Sequence, residues 1–216
     1  MKRFKLIIFD MDGLLIDSER IALEQFMLTL DEFGIEVERQ VYLQCIGANA
    51  RRVDEILSAA VSSQTDYQAF KNSWRQKYKQ RIANHPIPVK DGVEELTRHI
   101  RANRQPMAVA TSTETPQALE KLRNAGLIDS FDAIIGGEQV TASKPAPDLF
   151  LRAAQKFAAP PQQCLVLEDS INGVNAALNA GMRVVHVPDL VPPITSIAWR
   201  QVIVLNSLKE AIDYAF

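Results

Sequence analysis

The sequence predicts an α/β fold: a parallel sheet covered by helices, with an all-helical insert after the first strand. Three observations carry that reading. Short apolar runs alternate with helical stretches from residue 91 to the end of the chain. From about Glu19 to Ile82 the periodicity is helical only. The first apolar run, Leu6-Ile7-Ile8-Phe9, stands ahead of that stretch, so the chain leaves the sheet early and returns. Runs that are apolar throughout, and not alternating, are strands buried on both faces.

Residues 4–9 form the first expected strand. The segment "ERIALEQFMLTLDEFG" puts Ile21, Phe26, Leu30 and Phe33 near one stripe and stops at Gly34. "RRVDEILSAAV" and "YQAFKNSWRQKYKQRI" keep helical spacing, and "NHPIP", Asn84 to Pro88, breaks it. Helices are then expected near 91–103, 116–125, 147–158, 171–180 and 207–214. Strands are expected at 107–111, 133–135, 164–169 and 183–187. The sheet is thus a Rossmann-like core made of residues 1–16 and 86–216, and residues 17–85 form a second, helical domain outside it.

The chain has 216 residues, 47% hydrophobic and 23% charged, with a net charge of -2, which suits a globular protein with a sizeable core. There is no basic stripe, so nucleic acid is not expected as a partner. No run of about 18 apolar residues is present, so no membrane span is expected. The start "MKRFKLIIFD" has basic then apolar residues, but two Asp follow after only four apolar ones, which is too short for a secretory leader. Cys45 and Cys164 stand far apart in apolar surroundings and are expected to be buried thiols. A cytoplasmic protein, monomeric or weakly dimeric, is expected.

In open parallel sheets, ligands bind beyond the carboxyl ends of the strands. Here those ends are polar: Asp10 and Asp12 after the first, Thr111 to Glu114 after the second, "SKPAPD" in the loop after the third, Glu168-Asp169-Ser170 after the fourth. Asp10, Asp12, Glu168 and Asp169 cannot all stay ionised in one crevice without a cation. Oxygen-only donors favour a hard ion, and Mg²⁺ is the usual one when a phosphate shares the shell. Lys144 and the hydroxyls of Thr111, Ser112 and Thr113 suit phosphate oxygens. Residues i and i+2 of a strand share a face, about 6.5–7 Å apart, so a phosphorus atom could fit between Asp10 and Asp12. Gly13 lets the chain turn away. Pro145 and Pro147 stiffen the lysine's arm, and Ser170 can cap the helix that follows it.

These motifs resemble the haloacid dehalogenase superfamily, and most closely its phosphosugar phosphatase and β-phosphoglucomutase branch, in "DMDGLLIDSE", "KPAPD" and "LEDSINGVNAALNAGM". The similarity spans essentially the whole chain. It implies Asp10 as nucleophile, forming an aspartyl-phosphate, and Asp12 as acid to the leaving oxygen and then base to water. It implies Mg²⁺ held by the Asp10 carboxylate, the Asp12 backbone carbonyl and Asp169, with Glu168 contributing directly or through water. It implies Thr111 and Lys144 as ligands of the transferring phosphoryl group, and the helical insert as a cap that closes over a small phosphorylated metabolite. The second Asp, which the name-giving dehalogenases lack, argues for phosphoryl transfer. β-Phosphoglucomutases carry a histidine on the first cap helix where this chain has Ala22, which favours a hydrolase over a mutase. Asn49 and Arg51 of the cap loop "GANARR" stand where that branch reads its substrate.

Blander readings stand beside these. Arg51 and Arg52 also fit a solvated helix face. His85, His99 and His186 show no ligand spacing and receive no role. Trp74 and Trp199 are expected to pack. A non-catalytic sensor of phosphometabolites would need the crevice but not the acid–base residue Asp12.

Overall fold

The computed structural model describes residues 4–194 and 199–215. The basic residues Lys2 and Arg3, weighed above as the start of a leader, lie outside the described residues. Strands β1 (Leu6–Phe9), β2 (Met107–Ala110), β3 (Ala133–Ile135), β4 (Cys164–Glu168), β5 (Arg183–His186) and β6 (Ile203–Val204) form one sheet in the order β3-β2-β1-β4-β5-β6. Every pairing is parallel.

Successive strand residues point to opposite faces, and both faces are apolar. Ile7, Phe9, Val109, Leu165, Leu167 and Val185 face one core. Helices α5 (Val93–Ala102) and α6 (Thr115–Asn124) cover it with Val93, Leu96, Ile100, Ala118 and Leu122. Leu6, Ile8, Ala108, Val166 and Val184 face the other, covered by Leu149, Phe150 and Ala153 of α7 (Asp148–Lys156) and by Val174 and Ala177 of α8 (Ile171–Asn179). Each fully buried aliphatic side chain contributes about 1.5–3 kcal/mol.

Helices α1 (Ser18–Phe33), α2 (Arg39–Leu43), α3 (Ala50–Val61) and α4 (Tyr67–Asn84) gather around a third apolar cluster of Phe26, Tyr42, Leu57 and Phe70. Phe26 meets Phe70 and Trp74 edge-on, with ring centroids 5.5 and 5.6 Å apart. Helix α1 ends at Gly34, which adopts the left-handed conformation the stop requires. The two connections between sheet and helices run side by side. The Asp17 N–H donates to the Pro88 carbonyl at 2.9 Å, and the Lys90 N–H to that of Leu15 at 3.0 Å. Asp189, in the loop after β5, pairs with Lys90 at 2.7 Å and Arg20 at 2.8 Å.

Two expectations differ from the structure. The final helix, expected near 207–214, is α9 (Ile212–Ala215), and turns occupy 207–211. Strand β6 was not expected: two residues are too few to show a period, and only pairing with β5 defines it. Cys45 and Cys164 are buried and free, and burial pushes their thiols up to about 12 and about 11.

Candidate active site

Strand order reverses at β1, with β2 on one side and β4 on the other. That switch point opens a crevice beyond the strand ends. β1 stops at Phe9, and the next residue, Asp10, donates its N–H to the Leu167 carbonyl of β4 at 3.0 Å. β4 stops at Glu168, followed by Asp169. Asp10, Glu168 and Asp169 therefore meet, with one oxygen of each within 4.8 Å of the others. Lys144 enters from the loop between β3 and α7, pairs with Asp10, and reaches Glu168 at 2.6 Å. Its ammonium also stands 4.9 Å from the Phe150 ring centroid.

Glu168 is fully enclosed. Its second oxygen accepts from the Ser170 N–H at 2.6 Å and the Ser170 hydroxyl at 2.9 Å. Ser170 in turn caps α8 by accepting from the Gly173 N–H at 3.1 Å. Both Glu168 oxygens are thus engaged by protein groups, whereas Asp169 Oδ1 is buried without a partner. Gly13 is required twice: its φ is +89°, and a Cβ there would overlap the Asp169 carboxylate. A Cβ on Gly173 would fall inside the Glu168 carboxylate. Gly173→Ala is therefore expected to cost about 1–3 kcal/mol, read as a lower denaturation midpoint in urea. His186, at the end of β5, is buried and donates its Nε2–H to the Asp169 carbonyl at 2.8 Å, so a residue given no role from the sequence supports the acid loop.

Burial dominates the electrostatics. It pushes Asp10 up to about 7, against the pull of Lys144. Burial, then Glu168 and Asp10, pushes Asp169 well above the usual carboxylate range. Burial would lower Lys144, but Asp10 and Glu168 outweigh it and hold the ammonium charged. Three carboxylates facing one lysine leave the cluster short of positive charge. All its donors are oxygen, and one of them is an orphan, so the residues present fit a hard divalent cation.

Asp12 lies apart from this group. The strand has already ended, so Asp10 and Asp12 do not share a strand face; their carboxylates take different partners. Asp12 accepts from the Ser18 hydroxyl at 2.5 Å, the Lys121 ammonium at 2.6 Å and the Thr113 hydroxyl at 2.7 Å. Burial would raise its proton affinity, but Lys121, Ser18 and Thr113 overcome this and hold it below the usual range. Thr111 is buried, and its Oγ1 accepts the Thr113 N–H at 3.1 Å. Ser112 Oγ is buried without a partner. Ser18 and Lys121 were not singled out from the sequence, and Thr113 only as one of three neighbouring hydroxyls.

Glu19, in the first turn of α1, was also missed. Burial, reinforced by Asp12, pushes its carboxyl up to about 8 from an ordinary value near 4.5. The folded chain then keeps a proton that the unfolded chain releases above pH 4.5, so stability falls as pH rises through that window to about 8. Glu19→Gln is expected to raise stability at pH 9 by roughly 1–3 kcal/mol and to leave it nearly unchanged at pH 4, read as paired denaturation midpoints.

The cap-loop residues divide. Asn49 caps α3 by accepting the Arg52 N–H at 2.9 Å, and its amide donates to the Ser143 hydroxyl at 2.5 Å, beside Lys144. Arg51 is not brought to the acids: its side chain is 90% exposed and pairs with Glu55. It lines a cavity of about 500 Å³ with Asn49, Arg52, Ser143, Asn172 and Lys144, so the cavity reaches the lysine that pairs with Asp10, although none of the four acids lines it.

The switch-point crevice of this α/β sheet thus holds an acid cluster, a buried lysine and a separately held second aspartate, and a helical insert follows β1. The haloacid dehalogenase-like hydrolase family matches residues 7–187, and the chain belongs to that family. It is 35% identical over 193 residues to a probable pseudouridine-5'-phosphatase of Drosophila melanogaster, covering 84% of this chain and 80% of that one. It is 31% identical over 188 residues to the fructose-1-phosphate phosphatase YqaB of Escherichia coli, covering 86% and 97%. The crystal structure of a putative β-phosphoglucomutase from Thermotoga maritima matches with a TM-score of 0.77 at 27% identity, over 97% of both chains.

Proposed function

We propose that the chain is a Mg²⁺-dependent phosphatase of a small phosphomonoester, a sugar phosphate, working through a phosphoryl group carried on Asp10. The observation that carries the reading is the pair of environments at the β1 tip. Asp10 sits in the acid cluster beside Lys144, and Asp12 sits in a hydroxyl and ammonium clamp of its own. Asp169 and Asp10 would hold the cation, with Glu168 behind them fixing Lys144 and the α8 cap. The ion would supply positive charge against the phosphoryl oxygens.

In the first step an Asp10 oxygen attacks phosphorus, the bond from phosphorus to the alcohol oxygen breaks, and Asp12 gives that oxygen its proton. In the second, water attacks phosphorus, Asp12 takes its proton, and the Asp10–phosphorus bond breaks. The ionised form that Lys121 favours in Asp12 is the form the second step needs. Lys144, Thr111 and Ser112 would bind the phosphoryl oxygens. Residues 17–85 would act as the cap, with Asn49 meeting the core at Ser143. The two phosphatase relatives support hydrolysis, and Ala22 packs against the cap cluster with no proton to carry onward.

The test is a panel of phosphorylated sugars and related esters incubated with Mg²⁺ or with chelator. Mg²⁺-dependent release of inorganic phosphate is expected. Isomerised sugar phosphate with little free phosphate would show a mutase, and tight binding without turnover would show a sensor.

A further inference from the structure

Asp12 takes its hydrogen bonds from three separate elements. Ser18 opens α1, Thr113 lies between β2 and α6, and Lys121 stands on α6. The donors are not shared evenly between the two carboxylate oxygens. Oδ1 accepts from the Ser18 hydroxyl at 2.5 Å and the Lys121 ammonium at 2.6 Å. Among the described residues Oδ2 accepts from the Thr113 hydroxyl alone, at 2.7 Å. A carboxylate has about four lone-pair sites, shared equally by its oxygens. Those of Oδ1 are therefore filled, and Oδ2 keeps one open. Lys121 is itself held in place. Its side chain is only 14% exposed, where a lysine normally ends in solvent. Ala118 and Leu122 beside it on α6 are buried. Its ammonium lies 5.8 Å from the ring centroid of Tyr78, which packs against the core.

We propose that Lys121 is a positioning residue for the leaving-group proton: it anchors Asp12 through Oδ1, so that Oδ2 is the oxygen that gives the proton to the alcohol and takes one from water. The proposal rests on the phosphatase reading above. An ammonium donates hydrogen bonds and accepts none, so Lys121 occupies Oδ1 without offering a proton there any place to sit. Its charge also repels a proton from the oxygen it touches. Thr113 puts one hydrogen on Oδ2 and leaves the other lone pair to the substrate. In the first step the Oδ2–H bond breaks, the alcohol oxygen gains that proton, and its bond to phosphorus is lost. In the second a water O–H bond breaks, the proton passes to Oδ2, and the water oxygen bonds to phosphorus. Lys121 keeps its own protons throughout. A general acid acts only within hydrogen-bond reach of the reacting atom, and tying one carboxylate oxygen fixes where the other points. Without the ammonium Oδ1 keeps Ser18 alone, and the proton can reside on either oxygen.

The experiment measures kcat/KM with Mg²⁺ for two esters. One is the fastest sugar phosphate of the panel above, whose alkoxide needs a proton to leave. The other is para-nitrophenyl phosphate, whose phenolate leaves without one. The sugar-to-aryl ratio is taken within one preparation, so a smaller folded fraction cancels. Asp12→Asn is expected to lower that ratio by about 100-fold, the size of a general-acid contribution. Lys121→Met is expected to lower it by about tenfold or more. Added to Asp12→Asn, Lys121→Met is expected to move the ratio by less than about threefold, because the lysine acts through the aspartate. A ratio unmoved by Lys121→Met alone overturns the positioning role. So does a further tenfold fall in the double variant, which would put Lys121 on the substrate itself. If Lys121→Met does not fold, Ser18→Ala, which removes the other donor on Oδ1, carries the test: its ratio is expected to fall about threefold, and an unmoved ratio overturns the Oδ1 anchor. A ratio unmoved in Asp12→Asn removes Asp12 as the acid and Lys121 with it, and leaves a phosphatase. Absence of Mg²⁺-dependent phosphate release from every ester by wild type overturns the phosphatase reading as well.

Discussion

Asp10→Asn is expected to lower Mg²⁺-dependent phosphate release by about 10⁴-fold or more, because an amide cannot carry the phosphoryl group. The substitution preserves shape. It removes a carboxylate that burial, and then the charge of Glu168, push up to about 7 against the pull of Lys144, while Lys144 keeps Glu168 as a partner at 2.6 Å. In metal-free buffer at pH 8 the variant is therefore expected to melt no lower than wild type. Loss of turnover then reports chemistry and not unfolding. Stability and activity should move apart, which a merely structural aspartate would not produce. Pure, folded Asp10→Asn that hydrolyses a phosphomonoester with Mg²⁺ at within tenfold of the wild-type rate would remove Asp10 as the nucleophile.

The parts of this site that sequence could display are those tied to the strand ends. An apolar run that stops at a carboxylate is visible without coordinates, and strands buried on both faces leave no other pattern. Asp10, Glu168 and Asp169 follow from that rule, because β1 and β4 are neighbours at the switch point. Gly13 was legible as a turn, but its second duty, leaving room for Asp169, needs the folded neighbour. Lys121 shows the limit. It sits on α6 beside the buried Leu122, where a lysine normally ends in solvent, and its partner Asp12 is 109 positions away. Helical period says which stripe faces the core, not which edge residue bends into a crevice. Arg51 is the opposite case: the helix that starts at its loop turns the side chain toward Glu55, and only the folded chain shows that it shares a cavity with Lys144. Glu168, read as a direct or water-mediated metal ligand, stands in the acid cluster with Asp10 and Asp169, and its added contacts to Lys144 and Ser170 are ones no spacing reveals.

Lys144→Met should separate the structural and catalytic demands on the acid cluster. Methionine keeps the length of the side chain and its contact with Phe150, but removes the charge. Asp10 and Glu168 then lose the ammonium that both contact, and Asp169 remains beside them with Oδ1 unpartnered. Removing one partner from a buried ion pair costs about 3–5 kcal/mol, since the other charge stays behind. For a chain of this size that is a fall in Tm of roughly 10 °C, measured in chelator. Phosphate release is expected to drop by about 10²–10³-fold, the loss typical of one preorganised donor at developing charge. Mg²⁺ provides the discriminating readout. A cation that binds the folded acids stabilises by mass action, by about 2.7 kcal/mol at a hundredfold excess over its Kd. With Lys144 gone the same acids have more charge to be neutralised, so the Tm gain on adding Mg²⁺ is expected to be larger in the variant than in wild type, while turnover stays low. A lysine that only decorated the surface would leave Tm, the Mg²⁺ response and turnover unchanged together. A lysine that only stabilised the fold would let Mg²⁺ restore activity along with Tm. The geometry calls for neither, because the ammonium that balances the acids is also placed on Asp10, the residue proposed to receive the phosphoryl group.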